Sequence, residues 1–139
     1  MPWTHMHAWG AAAGSDKLYL IVRGELVFNE HALPRADLHN HDDTPPMTRI
    51  EGFLGGEQLG RNGFLRPYQG EVTLEVSCYG PWCAGIVSGA SYVVFVELRE
   101  GEKVVATNPC GGFVFPATDE IEQDLARCMR QGRCEVPQE

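Results

Sequence analysis

Leu18–Phe28 reads LYLIVRGELVF, a long β-type run with Gly24 near its middle. A glycine inside a strand pattern marks a bulge or a sharp bend, because the missing Cβ lets another backbone approach closely. A long strand bent in this way is what a small barrel needs to curl its sheet around a core. Outward from it, Thr48–Leu54 predicts a second strand, closed by Gly55–Gly56. The third is the clearest: Val72, Leu74, Val76 and Cys78 alternate with Thr73, Glu75 and Ser77, the period-2 pattern of a half-buried strand. Tyr79-Gly80-Pro81 ends it. Tyr92–Arg99 and Lys103–Thr107 then form a hairpin around Glu100-Gly101-Glu102.

Between these runs, residues 29–46 are polar and proline-bearing, a surface loop. Residues 57–70 are turn-rich, with Asn62-Gly63 as a two-residue turn signal. Asp119–Gln131 is the one good helix. Ile121, Leu125, Cys128 and Met129 fall on one face, Thr118 caps it, Asp119 and Glu120 oppose the N-terminal dipole, and Gly132 stops it. Five strands and one helix predict an all-β fold, a small five-stranded OB-like barrel with a C-terminal α-helix. A sandwich needs about seven strands, more than the pattern supplies.

The chain has 139 residues, enough for one domain with a modest core. A formal charge of −8 repels phosphate backbones and argues against nucleic-acid binding. No apolar run approaches the roughly 20 residues that cross a bilayer, so no membrane span is expected. Residues 1–15 carry no basic leader region, and Ala11–Gly14 has only the small residues of a signal-peptidase site. They are expected to be a flexible segment, a leader remnant or expression-derived sequence, with residues 16–139 as the single domain.

Five cysteines, Cys78, Cys83, Cys110, Cys128 and Cys134, all lie in the second half of the chain. Such density in a small chain reads as a disulfide framework in an exported protein, periplasmic or secreted. Cys128 ends the helix and Cys134 follows the Gly132 turn, so these two form a candidate pair. Each choice of the single cysteine still leaves three ways to pair the other four. Cys78 points inward on its strand, where a free cysteine behaves as a small hydrophobe.

From Trp82 to Glu135 the chain resembles the second half of the netrin-like domain of tissue inhibitors of metalloproteinases. The resemblance is carried by Cys83, Gly89, Tyr92-Val93-Val94-Phe95, Thr107 to Cys110, the helix, and Gly132-Arg133-Cys134-Glu135. It implies an OB-type barrel with a C-terminal helix that serves as a protein-binding module. In that family the cysteines matching Cys83 and Cys110 each bond to one N-terminal segment and lie close together. With that segment's cysteines missing here, the resemblance implies a direct Cys83–Cys110 bridge. The family's inhibitory device, an N-terminal cysteine that chelates the protease zinc, has no counterpart, because no cysteine precedes Cys78.

Other chemistries find little support. Cys78-Tyr-Gly-Pro-Trp-Cys83 has four intervening residues and follows a strand, whereas thioredoxin-type redox catalysis needs two at a helix N-terminus. The cysteine spacings lack the tight knuckles of structural zinc. No G-x-S-x-G, H-E-x-x-H or phosphate-loop motif is present. Phe53, Phe64, Tyr68, Tyr79 and Trp82 invite a single-strand stacking platform, yet 11 basic residues against 19 acidic supply no basic groove. Phe53 is therefore expected in the core and Tyr68 near the barrel rim. Trp82 has two readings: a plug closing the barrel end over Cys83, or an exposed interface anchor. The most metal-like stretch is His39-Asn40-His41-Asp42-Asp43, in which His39 and His41 of an extended segment point the same way and Asp43 adds a carboxylate.

These readings converge on a non-enzymatic exported binding module that needs no cofactor. Its expected partner is another protein, engaged through Trp82, Tyr79 and Tyr68. The alternative is a periplasmic metal-binding protein that uses His39, His41 and Asp43.

Overall fold

The computed structural model describes residues 3–35 and 44–135. The bent strand β1 (Leu18–Phe28) has the bounds its pattern predicts, and it pairs on both sides. Its second half runs antiparallel to β2 (Met47–Gly60), Val22–Phe28 against Gly52–Gln58. Its first half runs antiparallel to β5 (Ser91–Arg99), Leu18–Glu25 against Ser91–Leu98. The two pairings overlap at Val22–Glu25, so β1 changes neighbours around Gly24. β2 continues into β3 (Gly63–Tyr79), β3 pairs in parallel with β6 (Glu102–Thr107), and β6 returns antiparallel to β5. The order β1-β2-β3-β6-β5 and back to β1 is a ring of five hydrogen-bonded strands in a mostly β fold. Two short strands add to it: β4 (Trp82–Cys83) on β3 and β7 (Val114–Pro116) on β5.

The segment 57–70 corrects the expectation of a turn-rich loop. β2 and β3 form one long hairpin, turning at Arg61-Asn62 between the paired Gly60 and Gly63, one residue ahead of the expected Asn62-Gly63 turn. Pro67 is tolerated mid-strand because the parallel neighbour β6 reaches only Thr73–Val76. At Pro67 the edge away from β2 carries no ladder, so the missing N–H leaves no acceptor unpaired.

Two cores result. Inside the ring lie Val22, Leu26, Ile50, Leu54, Val72, Leu74, Val76, Val94, Val96 and Val105. Outside it Ile21, Leu59, Phe64, Val93, Phe95 and Phe115 meet two helices. β5 is therefore buried on both faces, which explains its uninterrupted apolar run Tyr92–Val96. Helix α2 (Asp119–Gln131) also has its expected bounds. The Thr118 hydroxyl accepts from the Ile121 N–H at 3.2 Å, and Gly132, at φ +76°, closes the helix with an N–H to the Cys128 carbonyl. Leu125 and Cys128 are its buried residues, and Glu122 ties it to β1 through Arg23, which also holds Glu57.

Residues 3–15, expected to be a flexible segment, carry defined structure packed on the domain. His5–Ala13 form a helix, α1, with Thr4 as its cap in a reciprocal capping box with His7. Ala8 is fully buried, the Trp3 indole N–H donates to the Gly112 carbonyl at 2.6 Å, and His5 meets Asp124 of α2 at 2.8 Å. Alanine-rich composition, which resembles a leader end, here makes a helix small enough to sit close against the core. Among the described residues no helix is long and apolar enough to cross a membrane.

Candidate functional site

At one end of the ring, β3 runs past its parallel partner, turns, and returns as β4. Tyr79 pairs with Trp82 and Cys78 with Cys83, leaving Gly80-Pro81 as a two-residue turn. Gly80 takes φ +60°, the conformation the first central position of a hairpin turn demands and only glycine adopts freely. The two cysteines are thus directly opposite, and they are bonded. This corrects the expected Cys83–Cys110 bridge: Cys110 is free and exposed, and Cys78 is bridged. The local signal was in the sequence, since four residues around a Gly-Pro turn bring flanking positions into register as a cross-strand pair. The second bridge, Cys128–Cys134, is the one expected from the helix end.

Alternation along the stapled hairpin sorts its side chains. Cys78 is buried, and beyond Cys83 the chain drops Ala84 and Ile86 into the ring core, anchored by the Ala84 N–H to the Ser77 carbonyl. Tyr79 and Trp82 therefore point the other way. Trp82 is 70% exposed and Tyr79 52%. Met47 pairs with Ser77, two residues before Tyr79, which puts it on the same face, and it is 44% exposed. Trp82 is thus not the plug over Cys83; the residues of this stretch that are buried in the ring core are Ala84 and Ile86. Met47, Tyr79 and Trp82 make an apolar strip on a hairpin tip that a disulfide holds rigid.

Tyr68 does not join them. It lies far back along β3, buried in the ring core, with Lys103 Nζ 5.3 Å from its ring centre. Phe53, expected in the core, is 45% exposed on the outer face of β2. His39, His41 and Asp43 lie outside the described residues. Among the described residues no three His, Cys, Asp or Glu side chains gather as a metal site would require.

A second concave surface lies on the outer face of β1, β2 and β3, a groove of about 780 Å³ bounded by the β5–β6 turn at Gly101. Its charged rim is organised by Arg99, which forks between Glu75 (2.8 and 3.0 Å) and Glu97 (2.7 Å), and by Arg49, which bridges Glu75 and Glu102. Arg99 hydrogen bonding holds the Glu75 carboxyl below the usual range, outweighing the opposing effect of burial. No family model, curated protein or solved structure matches the chain.

Proposed function

We propose that this chain is a non-enzymatic, exported binding module with an OB-type barrel of the netrin-like kind, and that it docks another protein through Met47, Tyr79 and Trp82. The observation that carries the reading is Trp82, 70% exposed on a two-residue strand stapled by Cys78–Cys83. A tryptophan left in water forgoes roughly 2–3 kcal/mol of burial. Held on a rigid tip, it loses little conformational freedom when a partner covers it, and tryptophan is enriched among residues that dominate interfaces. Two disulfides favour an oxidising compartment, periplasmic or extracellular. The ring order, antiparallel except for β3 with β6, supports the OB assignment, and α2 supports the netrin-like one.

The test compares Trp82→Ala and Trp82→Phe as baits in the exported fraction of the natural host. Trp82→Ala is expected to melt with the parent, within about 0.5 kcal/mol, since an exposed side chain is removed. It is expected to lose the protein the parent captures, while Trp82→Phe retains part of it. Undiminished capture by Trp82→Ala overturns this docking assignment.

A further inference from the structure

On the outer face of the ring, Val27 of β1 and Phe53 of β2 are direct cross-strand partners, 44% and 45% exposed. The Phe53 ring leans along β2 over Gly55, where an added Cβ would stand 3.6 Å from Phe53 Cε1. These two side chains floor one end of the 780 Å³ groove. Three carboxylates surround them. Glu71 of β3 is the cross-strand partner of Phe53, Glu51 lies two residues before Phe53, and Glu25 two before Val27, each on the same outer face. All three are exposed, and none makes an ion pair with any described residue.

Of the groove's other charges, Lys103 alone lacks an ion pair among the described residues. Arg99 is held by Glu75 and Glu97, Glu102 by Arg49, and Lys103 rests over the Tyr68 ring. What the groove presents to a ligand is therefore an apolar pair with three unpaired carboxylates around it, against the single unpaired cation of Lys103, a net negative surface. In a chain of net charge −8, nothing long-range offsets that sign. We infer that this groove docks an extended, cationic peptide segment of a partner protein, with an aliphatic or aromatic side chain on Val27–Phe53 and flanking arginines or lysines on Glu25, Glu51 and Glu71. Complementary charge steers such a segment in and sets its register, while the apolar contact supplies the burial. A nucleic acid or an anionic lipid surface meets repulsion here.

This surface lies apart from the Trp82 tip, and the experiment keeps the two separate. The full-length, oxidised protein is titrated with the synthetic hexapeptide Arg-Arg-Leu-Leu-Arg-Arg, and with its counterpart Glu-Glu-Leu-Leu-Glu-Glu, while backbone amides are followed by NMR. The cationic peptide is expected to shift the amides of Val27, Phe53 and Glu71. Its affinity should fall on the order of tenfold when salt is raised from low to several hundred millimolar. Phe53→Ala and the pair Glu51→Gln/Glu71→Gln should each weaken it on the order of tenfold while leaving the rest of the spectrum native, and Trp82→Ala should bind as the parent does. Equal binding of the acidic peptide, shifts centred on Met47, Tyr79 and Trp82, or no saturable shift with the cationic peptide each overturns the proposal.

Discussion

Gly24 and Gly56 face each other where β1 bends past β2, so closely that neither position has room for a side chain. A Cβ on Gly56 would stand 2.0 Å from the Arg23 carbonyl oxygen and 2.6 Å from Gly24 Cα, and one on Gly24 would stand 2.3 Å from the Gly55 carbonyl oxygen. All of these are backbone atoms of the ladder itself. The residues that pair with both β2 and β5 are centred here, so this contact is where the ring closes.

Gly56→Ala is accordingly expected to destabilise the protein by about 3 kcal/mol, the upper end of overpacking costs, because no flexible side chain can give way. Gly60→Ala, whose Cβ would meet nothing within 4 Å, should change stability by less than about 0.5 kcal/mol. Urea denaturation of the two variants beside the parent reads both. Equal stabilities would mean that β1 and β2 do not cross this closely in solution.

That contact also explains where sequence reasoning succeeded and where it stopped. Gly24 was readable because it interrupts the long β-type run of β1. Gly55, Gly56, Gly60 and Gly70 were not, since with Pro67 among them they imitate a run of turns. For Gly56 the cause is tertiary, since it yields to the backbone of β1, whereas an added Cβ at Gly60 would meet nothing within 4 Å. Helix α2 was legible to its ends because cap, dipole, face and stop agreed. For the candidate site, the exposure of Trp82 follows from its alternation with Cys83. It became visible only once the register of β4 on β3 was known.

Helix α1 can be tested without touching its contacts. Gly10 lies within it, and an added Cβ would meet nothing within 4 Å. Gly10→Ala should therefore raise stability by about 0.5–1 kcal/mol, through helix propensity alone. Trp3→Ala should lower it, since the indole hydrogen bond to Gly112 and the contact with Phe113 are lost. If neither variant moves the melting temperature, α1 is not packed on the domain.

The cysteine assignment makes a chemical prediction. Alkylation of the unreduced, folded protein should label Cys110 alone, and peptide mapping should recover Cys78 with Cys83 and Cys128 with Cys134. Each bridge closes a short loop, for which chain entropy gives about 2 kcal/mol. Reductant should thus lower the melting temperature, and Cys110→Ser should leave it where it was. A labelled Cys78, or a bridge to Cys110, would contradict this pairing.

The Glu75 network predicts how stability depends on pH. Arg99 donates two hydrogen bonds to this carboxylate and Arg49 a third, at 2.7 Å, and hydrogen bonding to Arg99 is the main reason its proton affinity falls on folding. A carboxyl whose folded value lies below its unfolded one binds fewer protons when folded. Its contribution is therefore complete above the unfolded value, about 4.3, and is lost as pH falls through the folded value. Glu75→Gln removes that charge and leaves Arg99 with Glu97 alone, so at pH 7 it should be less stable by about 1–3 kcal/mol. Below about pH 4 the parent should lose its advantage and the two stability curves should converge. Denaturation of both proteins from pH 7 down to pH 2.5 gives the comparison directly. A gap between them as wide at the acid end as at neutrality would show that the Arg99–Glu75 pair does not carry this part of the acid sensitivity.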